Sequence, residues 1–169
     1  NTYREKENFF LLFGMILPYK QFHEVIINWN SKSKLLIAGP SPSKKYLDYL
    51  YSLVKNKNVQ IIPNFQSEEN VSDLFQSTKA LILPQVKASC RVSGNFFLGL
   101  TYQTQIMAIK NSFADSLKKY HSLKNILIYN DLTELCNRVN KKDVINTEDD
   151  DLDLINNAFS DEVIKLYFN

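Results

Sequence analysis

The residues of this chain best suited to chemistry stand beside glycines and prolines at the ends of apolar runs. The first group is Gly14-Met15-Ile16-Leu17-Pro18-Tyr19-Lys20. Gly14 lets the backbone turn sharply, or approach a ligand, where a Cβ would obstruct. Lys20 is expected in the first turn of the next helix, where unpaired N–H groups and the helix dipole already favour an anion. Its ammonium would add a point charge to a phosphate. The plain alternative is a solvated lysine at a helix end. The second group follows Pro84 and carries Lys87 and Arg91 before Ser93-Gly94-Asn95 opens a helix. Exposed N–H groups, a hydroxyl and a missing Cβ together make a diphosphate cradle, although Ser93 alone would be an ordinary N-cap. The third group, Ile62-Pro63-Asn64-Phe65, offers an amide and an aromatic ring to a flat base; otherwise it is a turn proline and a core phenylalanine. Gly39-Pro40-Ser41-Pro42-Ser43 has hydroxyls but no charge.

Other chemistries find little support. Neither Gly14 nor Gly39 begins a G-x-G-x-x-G fingerprint, and there is no G-x-S-x-G elbow and no P-loop lysine. Cys90 lies in a polar loop with no histidine nearby in sequence, and Cys136 shares a helical face with Leu132, Leu135 and Val139 and reads as core. His23 and His121 read as helix-surface residues. Two cysteines and two histidines make no ordinary zinc site without carboxylates. The acidic stretch 148–153 reads as a solvated or helix-N-terminal segment. No metal and no cofactor is therefore expected. Twenty basic residues against 18 acidic ones, a net charge of +2, give no reason to expect nucleic acid as a partner. The longest apolar run, at residues 9–17, falls short of the ~20 residues of a membrane span, and no secretory pattern precedes it. A cytoplasmic location is expected.

The elements that must hold these groups follow from periodicity. Apolar runs at residues 9–13, 35–38, 59–62, 80–83, 106–108 and 126–129 read as strands, the first two of them buried. Between them lie helical patterns at residues 19–29, 43–55 (N-capped by Ser43), from 67, from about 93, at 113–120 and at 132–140. In the second of these, Tyr46, Leu47, Leu50, Tyr51, Leu53 and Val54 are expected to form the buried stripe. Gly99, inside the helix that Gly94 opens, is expected to pack against the sheet. Alternating strands and helices specify an α/β fold: a Rossmann-like, doubly wound parallel sheet of about six strands with helices on both faces. The 169 residues are read as a single domain, with a core at 9–140 and an acidic segment and helix at 146–169. Ligands of such folds bind outside the carboxyl ends of the strands.

The order of these pieces resembles the C-terminal half of a GT-B glycosyltransferase of the family 4, or group 1, type. FFLLFGMILPYK is similar to that family's opening strand, glycine and lysine-bearing turn. LLIAGP, NVQIIPNF with Ser67-Glu68-Glu69, and ALILP continue in register, and SGNFFLGL leading to Gln105-Ile106-Met107-Ala108 resembles the segment that holds the donor diphosphate. The family often has arginine where Met15 stands and a pair of glutamates around the phosphate helix, whereas residues 84–108 contain no acidic residue; Ser93-Gly94 resembles the version with a Ser-Gly helix start.

The resemblance implies binding of a nucleotide-diphosphate sugar (NDP-sugar) and transfer of the sugar to a saccharide or lipid-linked acceptor, as in polysaccharide biosynthesis. The substrate-binding residues would be Gly14, Lys20, Asn64, Phe65, Arg91, Ser93, Gly94 and Asn95. It also implies a preceding N-terminal half that binds the acceptor, supplies the catalytic groups and carries any peripheral membrane contact, so the domain by itself is expected to be inactive. Two other readings stay open. One is a GT-B-like interaction domain, or pseudo-enzyme, that has lost the donor site, suggested by Met15 and the acid-free segment. The other is half of a sugar-nucleotide epimerase.

Overall fold

The apolar runs are short, and the first four are closed by glycine or proline at Gly14, Gly39, Pro63 and Pro84. In the computed structural model, which describes residues 9–85, 94–111 and 125–140, all of the runs are strands. They are β1 (Phe9–Phe13), β2 (Lys34–Ala38), β3 (Val59–Ile62), β4 (Ala80–Leu83), β5 (Ile106–Ile109) and β6 (Ile126–Tyr129). The helices are α1 (Phe22–Asn28), α2 (Lys44–Leu53), α3 (Glu68–Ser77), α4 (Gly94–Thr101) and α5 (Leu132–Asn140), with a 3-10 turn at Pro18–Lys20. The helices expected at 113–120 and within 146–169 lie outside the described residues.

All five strand pairings are parallel, in the order β3-β2-β1-β4-β5-β6. The chain winds outward from β1 in one direction, then returns to β4 on the other side of β1 and winds outward again. The reversal between β1 and β4 opens a crevice at the carboxyl end of the sheet. Alternate residues of each strand feed separate cores. Phe10, Leu12, Leu35, Ile37, Met107 and Tyr129 pack with Val25 and Ile26 of α1, Leu50 of α2 and Leu135 of α5. On the other face, Phe9, Leu11, Leu36, Leu81 and Ile106 pack with Phe75 of α3 and with Phe96 and Leu100 of α4. The sheet is thus doubly wound, as the alternation implies.

Local chemistry sets the boundaries. The Ser43 hydroxyl accepts from Tyr46 N at 3.2 Å and starts α2 as an N-cap, and Ser67 does the same for α3. Asp131 Oδ1 accepts from Glu134 N at 2.8 Å while Glu134 Oε2 accepts from Asn130 N at 2.8 Å, a reciprocal cap that opens α5. Gly99 does pack on the sheet: a Cβ there would lie 2.9 Å from Ile106 Cδ1. Cys136 is core, as its helical face suggests. Two expectations are corrected. Only Tyr46 and Leu50 of the α2 stripe are buried, and Tyr51 is exposed, because this helix packs on one edge of the sheet and covers a narrower strip. The helix expected from residue 19 is broken, because Gln21 takes a left-handed conformation (φ 58°) between the 3-10 turn and α1.

Candidate functional site

The site is built on two glycines whose backbones touch. Gly14 (φ +90°) ends β1, and its N–H donates to Ala38 O at 2.9 Å. Gly39 (φ +143°) ends β2 and donates to Ile62 O at 3.0 Å. A Cβ on Gly39 would lie 2.3 Å from Gly14 O, so the second glycine is required by the approach of the first turn. Ile16 N–H donates to Pro40 O at 2.8 Å, and the Ile16 side chain is fully buried, which pins the loop after Gly14 to the loop after Gly39.

That pinned loop delivers Lys20. Pro18 starts the 3-10 turn and Gln21 N–H closes it on Pro18 O at 3.0 Å, so Lys20 is its last residue rather than part of the first turn of α1. The lysine therefore gains no help from the α1 dipole. It folds back instead over Gly14, where a Cβ would meet Lys20 Nζ at 3.1 Å and Asn95 Oδ1 and Nδ2 at 3.1 and 3.2 Å. Asn95 is the second residue of α4. Its Nδ2 donates to Phe13 O at 2.6 Å, tying the start of α4 to the end of β1 across the crevice. Lys20 and Asn95 thus converge on one patch of bare backbone beside a helix N-terminus.

The patch carries a partly buried positive charge. Burial lowers the Lys20 pKa below its ordinary value. Among the described residues no carboxylate pairs with Lys20, and burial is the one cause of its shift. A half-buried ammonium without a counter-charge is costly to keep unless an anion arrives.

The other sequence-predicted residues divide. Gly94 is the exposed first residue of α4, and a Cβ there would meet nothing within 4 Å, so space does not demand its glycine. Phe65 is 83% exposed, which rules out the core alternative, and the neighbouring Asn64 is exposed as well. Both sit after β3, away from the β1–β4 reversal. Arg91 and Ser93 lie outside the described residues. Sequence reasoning used only the Asn95 backbone amide and missed its side chain. The available signal was a lone carboxamide near the start of an otherwise apolar helix, GNFFLGLT. His23, read as a helix-surface residue, sits partly exposed on α1, and its Nδ1 lies 2.9 Å from Tyr46 Oη, joining α1 to α2.

No protein-family model and no curated protein sequence matches this chain. Solved structures do. AviGT4, a glycosyltransferase involved in avilamycin A biosynthesis, superposes over 97% of this chain with a TM-score of 0.71 at 16% identity. The C-terminal domain of the glycosyl transferase group 1 family protein LpcC from Francisella tularensis matches over 81% of the chain, with a TM-score of 0.63 at 10% identity. The fold is that of a GT-B half-domain. Anabaena HepE, solved in complex with UDP and glucose, matches over 80% of the chain, with a TM-score of 0.64 at 14% identity. This half-domain spans 52% of AviGT4, 75% of the LpcC domain and 38% of HepE. No helix among its described residues is long and apolar enough to cross a membrane.

Proposed function

We propose that this GT-B half-domain is the donor-binding part of a glycosyltransferase. The ligand is a nucleotide-diphosphate sugar, and a second half, which binds the acceptor, completes the enzyme in the cytoplasm. The observation that carries the reading is the convergence of Lys20 Nζ and the Asn95 carboxamide over Gly14, with no acidic partner among the described residues. A diphosphate seated there meets the ammonium, the Asn95 side chain and the first N–H groups of α4. Transfer breaks the bond from the anomeric carbon to the diphosphate oxygen, and the electron pair leaves with the diphosphate. The groups around Gly14 are prepositioned for the charge that develops on that oxygen. Arg91 and Ser93, which precede α4 in the sequence, would add a guanidinium and a hydroxyl to the diphosphate contacts, and Asn64 and Phe65 offer an exposed face to the base. Exposed Met15 and Tyr19 on the loop after Gly14 give the acceptor half an apolar rim to close against.

Isothermal titration of the chain with UDP, GDP and ADP tests the reading. Saturable binding of one nucleotide at millimolar concentration or tighter, weakened at least tenfold in Lys20→Ala, is the expected result. A folded protein that binds none of the three leaves the GT-B fold without donor binding, the interaction-domain reading.

A further inference from the structure

The opposite, amino-terminal edge of the sheet carries a second polar feature unrelated to the donor crevice. Gln105 and Asn125 immediately precede β5 and β6 and are only 4% and 3% exposed. Ile106 and Ile126 are register partners, so the two carboxamide residues lie side by side on adjacent strands. Strand alternation puts Gln105 on the face of Met107 and Asn125 on the face of Leu127, the face that α5 covers. Gln105 Nε2 and both carboxamide atoms of Asn125 are buried and have no hydrogen-bond partner among the described residues. The other buried polar groups of this edge are satisfied: Thr104 Oγ1 donates to Phe75 O at 2.7 Å, and Thr78 Oγ1 is within 3.1 Å of Phe9 O and Ala80 O.

Three buried polar atoms on two neighbouring side chains each forgo a hydrogen bond that a water molecule would supply. Gln105 also lines a small cavity of about 10 Å³ with Met107, Leu127, Tyr129 and Arg138. One water needs roughly 10–15 Å³ and two to four polar partners. Gln105, Tyr129 and Arg138 are the polar walls of that space.

We propose that Gln105 and Asn125 form a buried hydration site, in which an ordered water accepts from Gln105 Nε2 and hydrogen-bonds the Asn125 carboxamide. The water ties β6, an edge strand of four residues, to β5 in a single register. A slip of β6 by one residue against β5 would carry the Asn125 carboxamide to the α3–α4 face and break the bridge.

The unaltered protein tests this directly. A crystal structure at a resolution that places ordered water should show a peak within hydrogen-bonding distance of Gln105 Nε2 and of an Asn125 carboxamide atom. Direct donation from Gln105 Nε2 to Asn125 Oδ1, or a dry site, overturns the proposal. Urea unfolding of Gln105→Leu, Asn125→Leu and the double variant gives a second measurement. Each single change should raise the unfolding constant roughly tenfold by stranding the shared water, and the double variant should fall far below the product of the two. Single variants that are neutral or more stable than the parent, or effects that multiply independently, overturn it as well.

Discussion

Replacing Gly39 by alanine tests the two-glycine floor of the site. The new Cβ would stand 2.3 Å from Gly14 O, 2.6 Å from Gly14 C and 3.0 Å from Gly14 Cα, all backbone atoms that cannot swing aside. Alanine must also hold a φ of +143°, which costs an L residue ~1–3 kcal/mol. Relief requires the turn after β1 to lift away from the turn after β2. That movement weakens Gly14 N–Ala38 O, Ile16 N–Pro40 O and Gly39 N–Ile62 O, now at 2.9, 2.8 and 3.0 Å. At ~0.5–1.5 kcal/mol for each bond, together with the backbone strain, the loss is about 3–5 kcal/mol. Urea unfolding followed by the fluorescence of Trp29, the single tryptophan and a buried one, reads it. With a slope of ~1–3 kcal/mol/M, the midpoint should fall by about 2 M. Gly94→Ala is the matched control, because a Cβ there meets nothing within 4 Å; its midpoint should stay level or rise slightly, since alanine narrows the unfolded ensemble. A Gly39→Ala midpoint within about 0.5 M of the parent would refute the reasoning, since strain and clash together cannot come to so little.

Lys20→Met should raise the stability of the ligand-free protein while abolishing nucleotide binding, because it removes a desolvated ammonium with no carboxylate partner among the described residues. The sign with pH follows from the lowered pKa. The desolvation cost is fully present while the lysine is charged in both states, and it fades as pH rises through the folded pKa toward 10.5. Stability of the parent relative to Lys20→Met should therefore recover in the alkaline range, and a difference independent of pH would contradict this. The Cys136 thiol is pushed up to about 11 by burial, so in a Cys90→Ser background it should resist alkylation at neutral pH until the protein unfolds; rapid labelling of the native protein would count against the burial. Phe65→Ala should leave the unfolding free energy within ~0.5 kcal/mol of the parent, because the ring is 83% exposed. Any loss of nucleotide affinity in that variant then reports contact with the ligand.

Most of the scaffold was legible before any coordinates. FFLLF, LLIA and ALIL are apolar without interruption, which suits a strand covered on both faces, and each is followed by a glycine or proline. Ser43, Ser67 and Asp131 cap helices through their own side chains, a contact spanning three residues. Local signals failed where a longer-range contact made the choice. The left-handed turn at Gln21 is a glutamine in a conformation more often taken by glycine or asparagine, and nothing in its type announces it. The outward turn of Tyr51 depends on how far α2 overhangs the sheet, a property of the assembled layer.

The sequence by itself determined the strands, the two apolar faces of the sheet and the positions of the glycines, because each of these rests on neighbours a few residues apart. Only the tertiary structure decided that Lys20 and Asn95 share a site. They belong to elements distant in the chain, and they meet because parallel pairing sets β4 directly beside β1, bringing the start of α4 over Gly14. Tertiary structure alone also assigned Gly39 to the backbone of Gly14 rather than to a ligand. That contact exists only when β1 and β2 lie side by side, so close that no side chain fits between their ends.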